Sequence, residues 1–509
     1  MAFHYLRGCS AAALCIFIAQ PALADLTGQD VWNDWRDYLA STGYQVSGSE
    51  ATSGNTLTVS DITMTLPIPD EPDASVSVIV PSLALTTNGD GSVSVEFPSP
   101  MPIRFEGTGP DGEDAKGAVI LTHSGMTMTV TGDPADMTTT YSAAEIAMML
   151  DKVTVNGKAP DEAPARISVT LTDTKGSSRM TVGELRGFDQ SYSAASVAYD
   201  FAFKDPDGPD HGSLKGTLQG LTGAFTGSIP KAMDTSNVAA MLKAGFAVDG
   251  SIAFTGGNSS LDGEGDGETF SAQTSSQGGG FGMAMNAERL GYDISGKGTK
   301  ITVTSGQLPF PVEVNLAETA FRLAMPVAAS DTPQDVAFHL TLGQFTMSDF
   351  IWGLFDPGGN LPRDPATVVL DLTGKVKLLL DILDPSAAEA MAMSPVPPGE
   401  IHALSVNDLL VQAVGAKLTG KGAFTFDNTD MRTIPGMPRP EGAIDLALDG
   451  ANALLDNLVK MGILSSQDAM PARMMMGMFA VPGDGPDSLK SKIEINAQGH
   501  ILANGQRIK

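Results

Sequence analysis

Cysteine is almost absent from this sequence. Cys9 and Cys15 are the only two among 509 residues, and both lie within the first 24. Removal of that segment would leave a chain with no cysteine at all. Such a chain has no disulfide, no thiolate nucleophile and no cysteine ligand for zinc, so those chemistries are excluded for it.

The segment that carries both cysteines has the features of a secretory signal. His4 and Arg7 give it a weakly basic start, and the apolar run at residues 9–19 is too short to span a bilayer. Ala22-Leu23-Ala24 fits the small-x-small cleavage rule. We expect cleavage before Asp25 and a periplasmic location for the mature chain. The alternative is an uncleaved anchor.

Basic residues are also scarce. Lysine and arginine total 31 against 59 aspartates and glutamates, which gives a formal net charge of −28. A surface of this charge repels phosphate backbones and anionic headgroups, which argues against nucleic-acid binding and polybasic membrane docking. After the signal segment no run approaches the roughly 18 apolar residues of a spanning helix. We therefore expect no transmembrane span in the mature chain.

Aromatic residues make up only 6% of the chain, whereas glycine (56) and proline (32) are plentiful. That balance suits many strands joined by turns. Residues 56–64, 92–95 and 191–203 alternate polar with apolar side chains, as strands do when one face is buried and the other is wet. The sequence therefore predicts a mainly β fold: extended, curved antiparallel sheets with a few short covering helices.

The length of the chain exceeds that of one ordinary core. We predict a signal peptide at 1–24, an N-terminal β-rich unit at 25–308, and a C-terminal β-rich unit with a helical hairpin at 309–509. The boundary falls at Pro309-Phe310-Pro311, between two β-patterned series.

Three segments have helical periodicity. Residues 28–42 place Val31 and Trp32 on one apolar stripe. Residues 452–463 and 467–480 predict a helical hairpin, with Pro471 in the first turn of its second helix, where a missing N–H is harmless. Met470, Met474 and Met478 repeat there at four-residue spacing. They predict either a helix that covers the sheet or a methionine-lined lid over an amphiphile.

The most distinctive stretch is residues 346–385, in which a short helix stops at Asp356-Pro357-Gly358-Gly359 and a loop leads into a long strand. Arg363 lies in sequence among Asp356, Asp364 and Asp371. We interpret it as a clamp that fixes the loop to the sheet; a substrate site is the alternative. The residues assigned structural roles are Trp352, Asp356, Pro357, Gly358, Gly359, Pro362, Arg363, Asp364 and Pro365.

Signals for chemistry are weak. The sequence has no HExxH, no GxSxG and no P-loop motif, so no catalytic residue and no cofactor is predicted. Asp262, Glu264 and Asp266 alternate with glycine as the oxygen ligands of a calcium loop do. Gln273 stands where that loop requires a glutamate, and an acidic turn is the alternative interpretation.

The run DFIWGLFDPGGNLPRDPATVVLDLTG at residues 349–374 resembles a family of uncharacterised exported proteins from alphaproteobacteria, domain of unknown function 2125. VWNDWRDYL, GNTLTVSDITM and the terminal GHILANGQRIK are similar to the same family. The resemblance implies no reaction and no catalytic residue.

The last part of the chain also resembles the C-terminal ends of AsmA-like envelope proteins. The similarity runs from LTGKGAFTFD at residues 418–427 through EGAIDLALDG to the terminal NGQRIK. It implies, by analogy, a sheet groove that holds lipid or another amphiphile.

Three hypotheses of function follow. The first is a non-enzymatic periplasmic protein that binds lipid or another amphiphile in envelope maintenance. The second is a structural or partner-binding β scaffold of the cell envelope. The third is a hydrolase whose site is assembled from residues that are distant in sequence.

Overall fold

The computed structural model describes residues 26–67, 75–108, 114–155, 165–205, 208, 210–231, 237–265, 267–387 and 397–509. The predicted signal peptide and Asp266 lie outside these ranges. The described strands form one antiparallel sheet of 26 strands. With 65% strand and 12% helix, the prediction of a mainly β fold with a few short helices is confirmed.

The strands are numbered in the order in which they occur along the chain. The first part of the sheet contains β1 (Gln45–Ser53), β2 (Thr56–Pro67), β3 (Ser75–Thr87), β4 (Val93–Glu96), β5 (Met101–Thr108), β6 (Asp114–Ser124), β7 (Thr127–Asp133) and β8 (Asp136–Val155). The middle contains β9 (Ala165–Val182), β10 (Leu185–Lys204), β11 (His211–Pro230), β12 (Ala247–Phe254), β13 (Gly256–Gly265), β14 (Glu268–Ser276), β15 (Gly279–Met285), β16 (Arg289–Ser305), β17 (Val312–Pro326) and β18 (Gln334–Met347). The last part contains β19 (Ala366–Leu378), β20 (Gly399–Ala413), β21 (Ala416–Asp427), β22 (Arg439–Asp449), β23 (Val481–Pro482), β24 (Ser488–Ile495), β25 (Ile501–Ala503) and β26 (Gln506–Arg507).

Short helices interrupt this series. They are α1 (Gly28–Ser41), α2 (Val238–Lys243), α3 (Asp349–Phe355), α4 (Ala451–Lys460) and α5 (Ser466–Phe479). A capping box starts α1, in which the Thr27 hydroxyl accepts from the Asp30 N–H and the Asp30 carboxylate accepts from the Thr27 N–H. The predicted hairpin of α4 and α5 is present. Ser465 caps α5 early, so Pro471 lies in the second turn and its predicted place in the first turn was wrong.

Helix α1 provides the most deeply buried core. Val31 and Trp32 pack against Leu85, Val93 and Val130, which come from β3, β4 and β7. Farther along the sheet, Arg186 of β10 donates to Asp34 of α1 at 2.6 Å, and both side chains are largely buried. The sheet therefore curves until β10 reaches the helix that covers β1 to β3.

One line of irregular residues crosses the long strands. Asp173 (φ 47°), Gly220 (φ 58°), Gly298 (φ 55°) and Gln344 (φ 53°) have left-handed backbone within their strands. Asp173 and Gly220 lie on either side of Ala195, where the ladders of β9–β10 and β10–β11 are interrupted. We call this line the crease. An inserted residue shifts side-chain alternation by one position.

Side-chain types change phase at the crease. Before it, β10 places Phe188 and Tyr192 at even positions, and after it Tyr199, Phe201 and Phe203 at odd ones. The neighbouring strands β9 and β11 change phase along the same line, so the registers of the β9–β10 and β10–β11 ladders resume unchanged beyond it. The β18–β19 register, in contrast, shifts by one residue between Leu342 and Phe345. Both halves of the sheet consequently turn their apolar residues to the same face.

Aromatic rings lie over glycines of the adjacent strand. Tyr192 is opposite Gly223 and Phe225 is opposite Gly250, and a Cβ on either glycine would overlap the ring. The same pairing joins Tyr141 to Gly176, Tyr199 to Gly216, Phe203 to Gly212 and Phe270 to Gly263. A ring that lies on a glycine packs flat against the sheet. It fills the space left by the missing side chain and so stabilises a residue that forms strands poorly.

The predicted domain boundary falls between two paired strands. Pro309-Phe310-Pro311 lies in the connection between β16 and β17, which pair from Arg289–Pro326 to Val303–Val312. The hydrogen-bonded sheet thus continues past this point. The division into two units stays a prediction.

Replacement of Gly250 by alanine should destabilise the sheet by about 1–3 kcal/mol, because the new Cβ overlaps the Phe225 ring and comes within 2.7 Å of the Ala224 carbonyl oxygen. The matched control is Gly265→Ala, where a Cβ meets open space. Thermal unfolding followed by circular dichroism measures both. Equal melting temperatures for the two variants would contradict the proposed role of the ring.

Candidate functional site

The sheet has one apolar face, built from aligned rows. The first row crosses from β7 to β24 in unbroken register. It consists of Met128, Tyr141, Gly176, Tyr192, Gly223, Ile252, Phe281, Ile294, Phe321, Leu340, Leu370, Leu409, Gly420, Leu446 and Ser491. Neighbouring strands lie about 4.8 Å apart, so such a row measures tens of ångströms.

A second apolar row lies two residues further along each strand, except on β20, where an irregularity at Asn407 and Asp408 makes the distance three residues. From β11 onward it consists of Phe225, Gly250, Met283, Tyr292, Leu323, Phe338, Leu372, Val406, Gly422, Ile444 and Ile493. Because side chains alternate, this row and the first share one face. We call it the apolar face.

The opposite face, which we call the polar face, carries the charges. The row between the two apolar rows contains Asp293, Arg322, His339 and Asp371. Arg322 donates to Asp293 at 2.6 Å across the strands. Beyond the crease, Arg166 and Lys215 both contact Asp200. These exposed pairs keep the polar face solvated and contribute little to stability.

The apolar face is covered at its two ends. Helix α1 packs on it through Val93 and Val130, and the α4–α5 hairpin lies over β21, β22 and β24. Between these helices Phe281 is 41% exposed and Ile294 is 46% exposed. Contiguous apolar surface of this extent marks an interaction site in a protein.

Two tyrosines report the apolar character of the first row. Burial raises the pKa of Tyr141, and the neighbouring Tyr192 adds to that rise. Burial also raises the pKa of Tyr192. Both rises come from the loss of water around the phenols, as expected for side chains on an apolar surface.

A cavity of about 700 Å³ separates the α4–α5 hairpin from the sheet. Its floor includes Leu446 and Ile493, which belong to the two apolar rows. Its complete lining is Ala416, Leu418, Leu446, Leu448, Ala451, Leu454, Leu455, Ala472, Met475, Met476, Phe479, Ala480, Leu489, Lys490, Ser491 and Ile493.

The methionines singled out from the sequence face away from this cavity. Met470, Met474 and Met478 are 67%, 66% and 57% exposed. Met475 and Met476 line the cavity instead; Met476 is half-buried, and Met475 is still 55% exposed. The four-residue spacing identified a methionine stripe but did not show which face of α5 the sheet would cover.

Asp356 is the centre of the distinctive loop after α3. Its side chain is fully buried, and its carboxylate accepts from the N–H groups of Asn360 at 2.9 Å and Leu361 at 2.8 Å. The bond from the Leu361 N–H is the main reason that the pKa of Asp356 lies below its usual value, although burial opposes it. Gly359 (φ 61°) supplies the left-handed residue of the turn.

Arg363 fixes this loop to α3. It donates to Asp349 at 2.6 Å and lies 5.7 Å from the centre of the Trp352 ring. Its hydrogen-bonded partner is therefore a residue of α3, whereas Asp371 accepts from Asn407 of β20.

The other residues that were assigned structural roles lie in the turn after α3 and in the segment that leads to β19. Pro357 and Gly358 form the turn after α3, and Pro362 lies against Gly415 of the β20–β21 turn. Asp364 and Pro365 lead into β19. The predicted structural residues thus lie close together: Trp352 is in α3, and the others are in the loop that joins α3 to β19.

The calcium candidate lies at the end of a strand. Asp262 and Glu264 belong to β13, where they pair with Ser271 and Thr269 of β14, and Asp266 lies outside the described residues. Across the described ranges no group of three or more histidine, cysteine, aspartate or glutamate side chains is arranged to hold a metal ion.

One arrangement on the polar face has the composition of a hydrolase triad. The Thr341 hydroxyl lies 3.0 Å from His339 Nε2, and His339 Nδ1 lies 3.4 Å from an oxygen of Asp371. Thr341 is buried, and its strand pairs on both sides, so the nearby N–H groups serve the ladder and are not aimed at an oxyanion. We interpret the three residues as a hydrogen-bonded chain on the sheet.

Comparison with known proteins identifies a family. The family model of uncharacterized proteins conserved in bacteria, DUF2125, covers residues 217–499, from within β11 to the turn before β25. No curated protein matches and no solved structure matches. Among the described residues, no helix has the length and apolar character needed to cross a membrane.

Replacement of Asp356 by asparagine should lower the melting temperature by a few degrees at neutral pH, because an amide accepts only one of the two backbone N–H bonds. The exposed Asp364→Asn is the matched control. Since the folded pKa of Asp356 is lowered, the stabilisation is present above the unfolded pKa and is lost as pH falls through the folded pKa. The gap between wild type and Asp356→Asn should therefore close in acid; a constant gap would contradict this assignment.

Proposed function

The chain belongs to this family of uncharacterized bacterial proteins, and we propose that it is an exported, non-enzymatic protein that holds acyl chains of lipids or other amphiphiles on its apolar face. The observation that carries the proposal is the pair of apolar rows that stay in register across the sheet and remain uncovered in the middle.

The chemistry of the face suits chains rather than polar substrates. Leucine, isoleucine, phenylalanine and glycine make up most of the two rows between β12 and β22. The aromatic rings that lie flat on glycines leave a shallow and even surface. Each methylene group that such a surface removes from water contributes about 0.8 kcal/mol.

The net charge of the protein affects which amphiphile headgroups bind well. With a net charge of −28, the molecule repels anionic groups in its surroundings. We therefore expect uncharged or zwitterionic amphiphiles to bind better than anionic ones of the same chain length, and the difference to shrink as salt increases.

A partner-binding scaffold of the cell envelope is the second candidate. The same uncovered apolar surface would suit a protein partner, because exposed apolar surface of this size also marks protein interfaces. The two candidates differ in what a delipidated sample takes up: chains of an amphiphile in one case, and only a second protein in the other.

We expect Ile294→Asp to weaken binding of a lysophosphatidylcholine to delipidated protein at least about tenfold, because it places a charge in the middle of the first apolar row. Native mass spectrometry and fluorescent-probe displacement measure the change. Ser295→Asp is the matched control, since it adds the same charge at the next residue, on the polar face. Equal losses in both variants, or no uptake by the wild type, would overturn the proposal.

Export to the periplasm is part of the same proposal. Cleavage after Ala24 should give a mature chain that begins at Asp25, and intact-mass measurement of the protein from the periplasmic fraction tests this. Recovery of the full-length chain from the cytosol would contradict it.

A further inference from the structure

We propose that the cavity beneath the α4–α5 hairpin is a site for one acyl chain of a single-chain amphiphile, and that the hairpin is its lid. The inference rests on the proposed function, because the floor of the cavity is the end of the same apolar face. It goes further in assigning a separate site under the hairpin, which holds one chain of its own.

The two walls of the cavity are apolar and come from different elements. Leu446 and Ile493 continue the apolar rows on the sheet side. Met475, Met476 and Phe479 of α5 form the opposite wall. Methionine adapts its shape to irregular apolar partners, so this wall suits a flexible chain of variable length.

The size of the cavity indicates one chain. At about 700 Å³ it lies within the roughly 300–1,000 Å³ of clefts and cavities that bind a single small ligand. A cleft of this size between a hairpin and a sheet is far larger than the few water-sized gaps between elements that pack directly on each other. An apolar ligand would restore the contacts that the lining residues lack.

The one charged residue in the lining of the cavity is paired at the protein surface, so we expect the headgroup of a bound amphiphile to stay outside the cavity. Lys490 is the one charged residue of the lining, and it pairs at 2.6 Å with Asp484, which is 93% exposed. The charge of Lys490 is therefore satisfied at the protein surface. A chain inside the cavity meets no buried charge, and its headgroup stays at the rim in water.

The hairpin is held to the sheet at its base. Asp487 accepts from the N–H of Ala453 at 3.0 Å, at the start of α4, and Ser491 and Asn504 both donate to the Phe479 carbonyl at the end of α5. Within the described part of the chain, the hydrogen bonds that join the hairpin to the sheet are those of its base.

Farther from the base, the two helices are held to each other. Arg473, in the middle of α5, donates to Asp456, in the middle of α4, and so ties the helices together. The turn between the helices is exposed, and Ile463 there is 60% exposed. A hairpin that is internally braced and anchored at its base can swing as a unit, which is the construction of a lid.

The test uses lysophosphatidylcholines of increasing chain length on delipidated full-length protein. Affinity should rise about fourfold per methylene until the cavity is full, since one buried methylene is worth about 0.8 kcal/mol. A lysophosphatidylcholine with a diazirine at the end of its chain should label α5 peptides that contain Met475 and Met476. Binding should also slow hydrogen exchange in α4 and α5.

The matched variants are Ala472→Trp, which fills the cavity, and Met474→Trp, which adds the same ring on the exposed side of α5. Ala472→Trp should lose one bound chain per molecule in native mass spectra and lose the α5 label, whereas Met474→Trp should keep both. Ile294→Asp should keep the α5 label, because Ile294 is remote from the hairpin. The labelling of wild-type protein needs no variant and holds even if Ala472→Trp misfolds.

The outcomes separate the two proposals. Uptake by the wild type with no label in α5 and no loss in folded Ala472→Trp overturns the lidded site and leaves the apolar face as the binding surface. An α5 label that survives in Ile294→Asp and disappears in Ala472→Trp supports the lidded site. Absence of any uptake by the wild type overturns both proposals.

Discussion

The alternation of side chains along each strand is the constraint on which this structure depends. In a sheet with one apolar face, a shift of one residue in any strand exposes its whole apolar set to the wrong side. The long central strands each change phase at the crease, and they do so on the same line, at Asp173, Ala195 and Gly220 in three neighbouring strands. One inserted residue per strand therefore bends the sheet while the apolar face stays continuous.

Glycine and the aromatic residues have a joint role in this design. A glycine in a strand weakens it, since the residue has no side chain to pack. Here the ring of the opposite residue fills that space, as Tyr192 does at Gly223 and Phe225 at Gly250. The few aromatic residues thus stabilise strands that are rich in glycine, and their rings cover the sheet without rising far above it.

The local features of the fold could be predicted from the sequence, because they depend on residues that are close in the chain. Alternation predicted the strands, and periodicity with capping predicted α1 and the α4–α5 hairpin. The register across the sheet could not be predicted, since it depends on which strands pair. The sequence did contain a sign of the crease: the change from even positions at Phe188 and Tyr192 to odd positions at Tyr199 and Phe201. The partner of Arg363 was missed for a similar reason, because the end of the loop returns to Asp349 at the start of α3.

The uncovered middle of the apolar face and the large net charge are two parts of one arrangement. A soluble surface needs charge, and this molecule carries it on the polar face, in pairs such as Arg322 with Asp293 and Arg166 with Asp200. The apolar rows have no such pairs and expose side chains as large as Phe281 and Ile294. The core around α1 contains side chains from only the first strands of the sheet. Formation of that core therefore does not require the apolar rows to continue across the remaining strands. The acyl chain that we propose as the ligand supplies a reason for the continued rows, since such a chain gains contact with every additional strand.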